Sequence, residues 1–136
     1  MLTVTPFLLF DGTCAEAMRF YQSCLGGQLD VTLVGDTPMR DQAPPEHHAK
    51  VAYAHLVSEA IELSATDWQH QTRAPKVGNT VGLYLTGGRC DELREAFDKL
   101  SVGADAGLLD ELRQMPFGTY GHLADKFGVH WFFRGE

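Results

Sequence analysis

The acid in Ala60-Ile61-Glu62-Leu63 is the residue whose position most invites chemistry, because it interrupts a run otherwise fit for a strand core. Alternation puts Glu62 on the face opposite Ile61 and Leu63, with Ala60 and Ser64 as small neighbours. A carboxylate there stands either on an exposed sheet face or on the floor of a concave site with room beside it. A histidine within hydrogen-bond reach, His55 or His122, would make it an acid–base pair able to act on a bound ligand, although spacing along the chain does not establish that contact. His47-His48 could ligate a metal, but adjacent histidines in a proline-rich loop are ordinarily solvated. The three cysteines, Cys14, Cys24 and Cys90, are an odd number without CxxC spacing, which fits neither a disulfide framework nor a zinc knuckle. Cys24, in helical line with Tyr21 and Ala17, reads as a buried thiol without chemistry, and Cys14 and Cys90 read as helix-start residues.

The elements that must position these groups come in two similar halves. From Thr3 to Gly27 a strand (about Leu2 to Phe10) passes through Asp11-Gly12 into an amphipathic helix that stops at Gly26-Gly27. Thr13-Cys14-Ala15-Glu16 reads as a capping box, and Ala17, Phe20, Tyr21, Cys24 and Leu25 as the apolar face. Val81 to Gly103 repeats the unit at an offset of 76, aligning Cys14 with Cys90, Gly12 with Gly88, Glu16 with Glu92, Leu9 with Leu85 and Gly27 with Gly103. Gln28 to Val34 alternates as a half-buried strand, and Gly35 to Ala49 loses periodicity and reads as a mobile loop. Lys50–Val57 and Ala60–Thr66 read as a hairpin, and Asp67–Asn79 as a second loop carrying Trp68 and His70. Strand Thr80–Thr86, a helix from about Asp91 to Leu100, and strands around Ala106–Leu112, Tyr120–Ala124 and Val129–Phe133 complete the second half, with Asp125-Lys126-Phe127-Gly128 as the last turn. Each half is strand, helix, three strands.

With 136 residues at 44% hydrophobic content, the chain suffices for one domain or two half-size modules sharing a core. A net charge of −7, with 11 Lys and Arg spread along the chain, argues against nucleic-acid and anionic-membrane partners. No apolar run approaches the roughly 18 residues of a membrane span, and the N-terminus lacks signal-peptide features, so a cytoplasmic location is expected.

Taken together the residues carry a pattern. Pro6-Phe7-Leu8-Leu9-Phe10 with Gly12, Glu16-Ala17, Phe20-Tyr21, Leu25-Gly26-Gly27, Phe117-Gly118, Tyr120-Gly121 and the closing Asp125-Lys126-Phe127-Gly128-Val129 with Trp131 resemble the PhnB-like branch of the vicinal oxygen chelate superfamily, which includes glyoxalase I, bleomycin-resistance proteins and extradiol dioxygenases. The resemblance implies an α+β fold over residues 1–136, with two βαβββ modules (about 1–67 and 80–136) whose mixed, curled sheets form an open barrel-like cleft, commonly in a homodimer. It also implies four positions that in metal-dependent relatives hold one divalent ion; here they fall on Phe7, Glu62, Leu83 and Phe132. Only Glu62 is a ligand type, since Phe and Leu offer no donor. Among Phe7, Leu83 and Phe132 the Glu62 carboxyl would be desolvated, and its protonated form could hold a polar group of an apolar ligand. A relocated metal would need His55, His122 or His130. Some relatives carry a demethylubiquinone methyltransferase label, which is discounted because nothing here looks like an S-adenosylmethionine fold with its Gly-rich strand-to-helix turn.

The expectation is therefore a module without cofactor that binds a small organic molecule through Phe7, Tyr53, Glu62, Leu83, Tyr120 and Phe132, with Glu62, His55 and His122 as candidate catalytic groups. The alternatives are a divalent-metal isomerase, lyase or dioxygenase, and a structural dimer without ligand.

Overall fold

The apolar periodicities of the two halves resolve into one chain path traced twice. The structure, a computed structural model, describes residues 1–70 and 72–136. Its first half runs β1 (Phe7–Phe10), α1 (Cys14–Leu25), β2 (Gln28–Leu33), β3 (Val51–Val57) and β4 (Glu62–Asp67). Its second runs β5 (Gly82–Thr86), α2 (Cys90–Leu100), β6 (Asp110–Met115), β7 (Gly118–Ala124) and β8 (His130–Gly135). The chain divides into units Met1–Lys76 and Val77–Glu136. Each unit holds one four-stranded sheet, in the orders β1-β4-β3-β2 and β5-β8-β7-β6. In each, the first strand lies parallel to the last and the other neighbours are antiparallel, so both sheets are mixed and neither closes on itself. No helix among the described residues is long and apolar enough to cross a membrane.

Each helix covers one face of its own sheet. Cys14, Ala17, Met18, Tyr21 and Cys24 of α1 are buried, as are Phe10, Ala54, Leu56, Leu63 and Ala65 of the strands. Phe20, expected in the core, is only half-buried and tilts against Tyr21. In the second unit Leu93, Phe97 and Leu100 are buried with Leu123, Trp131 and Phe133, and the Phe97 ring meets Phe133 edge-on at 5.0 Å. Gly121 makes that approach possible: a Cβ there would stand 3.2 Å from the Phe97 ring and 2.7 Å from Leu112.

Several local expectations are corrected. The Thr13 side chain makes no capping hydrogen bond. The start of α1 is closed instead by Asp67, a buried residue at the end of β4: its Oδ1 accepts from Gly12 N at 2.9 Å and Cys14 N at 3.0 Å, and its Oδ2 from Val51 N at 2.9 Å. A carboxylate at the positive end of a helix dipole is favoured electrostatically as well as by its hydrogen bonds. Only the second helix has a local acid as its cap, with Arg89 N donating to Glu92 Oε1 at 3.3 Å. The segment Gly35–Ala49 is not a bare loop but part of a run of three 3-10 turns, Val34–Asp36, Pro38–Gln42 and Pro45–His47. His48 Nε2 ties the run together by donating to the carbonyls of Arg40 at 2.9 Å and Ala43 at 3.2 Å, which commits that nitrogen to the backbone. The expected strand at Ala106–Leu112 starts later, at Asp110; Ala106–Leu108 is a 3-10 turn whose start Asp105 caps by accepting from Gly107 N at 2.9 Å.

Two outcomes follow from Asp67. Asp67→Ala strands three backbone donors, two of them in buried hydrogen bonds, and should cost about 3 kcal/mol or more in urea unfolding, with Asp67→Asn losing less because it keeps one acceptor. Burial, and then the Asp67 carboxylate, push the Cys14 thiol up to about 12. Iodoacetamide at about pH 8 should therefore label exposed Cys90 in the native protein and reach Cys14 only on unfolding; native labelling of Cys14 at a similar rate would contradict this environment.

Candidate functional site

On the face of the first sheet opposite α1, hydrogen-bond register lines up one transverse row: Phe7 pairs with Ser64, Ser64 with His55, and His55 with Asp30. Glu62 lies diagonally from His55, since its own cross-strand partner is Val57. The diagonal is bridged, with His55 Nε2 3.4 Å from Glu62 Oε1, so the structure brings together the histidine and acid on adjacent strands. Glu62 is the first residue of β4, beside the turn closed by Ser58 N donating to Ile61 O at 2.8 Å, and not mid-strand. Its side chain is 51% exposed, so of its two possible placements it takes the open sheet face. Tyr53, two residues before His55, faces the same way; its ring lies nearly parallel to the imidazole, and its hydroxyl is 3.2 Å from Ser64 Oγ. Around this polar group Phe7 (54%), Leu9 (41%) and Tyr53 (46%) are exposed.

The second sheet repeats the row. Tyr84 pairs with Phe132, Phe132 with His122, and His122 with Asp110. The His122 ring stacks on Phe132 at 4.4 Å and beside His130 at 5.1 Å, with its Nε2 2.9 Å from His130 Nδ1. Its Nδ1 faces Asp110 Oδ2 at 3.8 Å. Burial, reinforced by His130 and opposed by Asp110, holds the His122 imidazole below its ordinary pKa. Tyr120 also lies on this face, edge-on to Phe117 at 6.0 Å.

Leu83 does not belong to the row. It pairs with Trp131 on the face covered by α2, and the first-strand aromatic of the second sheet is exposed Tyr84. The reason is a one-residue difference between the halves: the last helix-facing strand residue is Phe10, four before Cys14, in the first and Leu85, five before Cys90, in the second. An alignment anchored on the helices thus swaps the faces of the strands.

The sequence reading missed Asp30 and Asp110 and the pairing of His122 with His130. Tyr53-Ala54-His55-Leu56 and Tyr120-Gly121-His122-Leu123 are the signal that would have found them, since this second repeat aligns the third strands of the two modules. Each copy places a small residue, Ala54 or Gly121, under the helix and a Tyr and His on the open face. A separate hollow of about 420 Å³ in the first unit, walled by Asp11, Glu46, His47, Lys50, Trp68 and His70, shares no residue with the row.

The superfamily's ligand positions do not fit a cation here. Phe7 and Phe132 present rings, Leu83 faces the helix side, and among the described residues no three His, Cys, Asp or Glu side chains converge as a metal would need.

Paired βαβββ modules with these open rows define a protein of the glyoxalase, bleomycin-resistance and dioxygenase fold; a Frankia domain of that class superposes with TM-score 0.63 at 15% identity, covering 98% of this chain and 96% of that one. The family model described as 3-demethylubiquinone-9 3-methyltransferase matches residues 2–133, and the chain belongs to that family. It is 26% identical to Protein YjdN of Escherichia coli K12 over 141 residues, 96% of this chain and 92% of that protein. Among solved structures it is similar to protein PA1353 from Pseudomonas aeruginosa, with TM-score 0.85 and 27% identity over 100% of this chain and 98% of that one. A Bacillus cereus PhnB protein shares the fold, with TM-score 0.73 and 23% identity over 99% and 100% of the two chains. These relatives carry no established activity over to this chain.

The depressed His122 pKa carries a stability consequence. The unfolded chain binds a proton on this ring near the ordinary value of about 6.5, while the folded chain resists it. The stabilisation is therefore complete above that value and is lost as pH falls through the folded pKa. His122→Gln should flatten this acid limb in urea midpoints taken from neutral pH downward, and an unchanged limb would count against the ring's neutral state.

Proposed function

We propose that this chain binds a small organic molecule on the open face of its first sheet and needs no metal to do so. The observation behind this reading is the juxtaposition of exposed Phe7, Leu9 and Tyr53 with the bridged His55–Glu62 pair. Apolar rings supply contact area, and one hydrogen-bonding pair fixes orientation, which is the usual division of labour in a ligand site. In this pair Glu62 accepts from the Nε2–H of His55, which leaves Nδ1 as the basic nitrogen; a ligand donor meets the carboxylate and a ligand acid meets the imidazole. The pair is thus equipped for acid–base work on a bound molecule as well as for holding one.

A methyltransferase reading has less support. A phosphate- or carboxylate-bearing cofactor at the first strand-to-helix turn would need the amides that open α1, and those of Gly12 and Cys14 already bond Asp67.

A thermal-shift screen of small aromatic acids, phenols and quinones tests the proposal. A hit should lose about tenfold in affinity with Glu62→Gln and with Phe7→Ser, at an unchanged oligomeric state by light scattering and after exhaustive chelation. Retained affinity in both variants would remove the site. Dissociation of an oligomer by Phe7→Ser would assign the apolar face to a second copy, and affinity that vanishes on chelation would restore the metal-dependent alternative.

A further inference from the structure

The second module holds a counterpart of the His55–Glu62 pair in which an imidazole replaces the acid. His130 occupies on β8 the place of Glu62 on β4, diagonal to the third-strand histidine, and Asp110 stands across from His122 as Asp30 stands across from His55. Two facing imidazole nitrogens share one proton, and Asp110 decides where it lies. A carboxylate 3.8 Å from His122 Nδ1 favours the proton on that nitrogen, because the alternative faces a lone pair toward a negative charge. His122 Nε2 is then an acceptor, so His130 Nδ1 must be the donor across the 2.9 Å contact. That leaves His130 Nε2 with its lone pair exposed.

Among the described residues no hydrogen bond is made to that lone pair. Among the described residues no buried polar side-chain atom lacks a partner, and the hydrogen bond of His130 is made by Nδ1, so Nε2 reaches solvent although the residue is 6% exposed. His130 forms part of the wall of a hollow of about 320 Å³ with Val77, Leu108 and Ala124 as apolar surface and Lys126 as the cation. Two acids stand in the same wall and are engaged with the backbone and an indole: Asp105 Oδ1 accepts from Gly107 N at 2.9 Å, and the oxygens of Asp125 accept from Phe127 N, Val129 N and Trp131 Nε1 at 2.8, 3.1 and 2.8 Å.

We infer that His130 Nε2, fixed as a base by the line from Asp110 through His122, is the hydrogen-bond acceptor of a second binding site, for a small phenol-like molecule. The hydroxyl donates to Nε2, the ring lies against Val77, Leu108 and Ala124, and Lys126 favours the partial negative charge left on the oxygen. The site lies wholly within the second unit and stands or falls apart from the first-sheet proposal.

Imidazole nitrogen-15 spectra of the full chain at mildly alkaline pH test the tautomers directly. Protonated Nδ1 and bare Nε2 are expected on both His122 and His130, and a protonated Nε2 on His130 overturns the inference. The binding probe is phenol, whose hydroxyl keeps its proton where the imidazoles are neutral; it is expected to shift the amides of Val77, Leu108, Ala124 and Gly128 on titration, and to bind about tenfold more weakly to His130→Gln. Because His130 is buried, Asp110→Asn on an exposed residue supplies a variant that keeps the fold. It should convert the single tautomer of His122 to a mixture and weaken the phenol several-fold. A titration that moves none of those amides, or an Asp110→Asn variant with spectra and affinity both unchanged, rejects the site.

Discussion

Each half of this protein is built around one buried carboxylate that satisfies several donors at once. In the first, Asp67 gathers the amides of Gly12, Cys14 and Val51, joining the end of β4 to the turn before α1 and to the start of β3. These are the two strands that carry Glu62 and His55, so an interaction remote from the site fixes the register in which the site pair meets. Asp125 does the corresponding work in the second half: by holding Phe127, Val129 and the Trp131 indole it shapes the turn that sets β7 against β8, and so His122 against His130. A slip of one residue in either hairpin would turn its pair to the helix side.

Local pattern was enough to order the elements, because the period changes from two to 3.6 and the Gly26-Gly27 stop are written in the chain itself. The cap of α1 was not legible: Thr13 and Glu16 have the right types and spacing, but Asp67, 53 residues beyond Cys14, takes the amides. Asp67 looked like the first residue of a loop because nothing nearby in sequence marks it as buried. The strand at Asp110–Met115 was read too early for a related reason, as Ala106–Leu108 has strand-like composition but is held in a 3-10 turn by Asp105.

Placements on the open sheet faces were legible where they follow from alternation and lost where they depend on register. Phe7, Tyr53 and His55 share their face with Glu62 because strand parity within the first half is simple. Leu83 was misplaced because the turn before α2 takes up one more residue than its counterpart, and helix-anchored alignment carries that error into the strand. The partnership of His122 with His130 spans two strands, and no spacing rule in a single sequence reports a diagonal contact.

The two rows keep the same backbone positions and differ in the group at one end. Glu62 ends the first in a half-exposed carboxylate, which accepts a hydrogen bond from His55 and leaves the pair polar and water-facing. His130 ends the second in a buried imidazole, and two rings sharing one proton beside Phe132 avoid a second charge that burial would oppose. The same fold thus presents a carboxylate and an imidazole from equivalent places. Because the helix-covered face supports the shared geometry and the open face carries the difference, the end group can diverge without disturbing the packing beneath it. The difference between the halves then rests on a few open-face side chains above a shared, helix-covered frame.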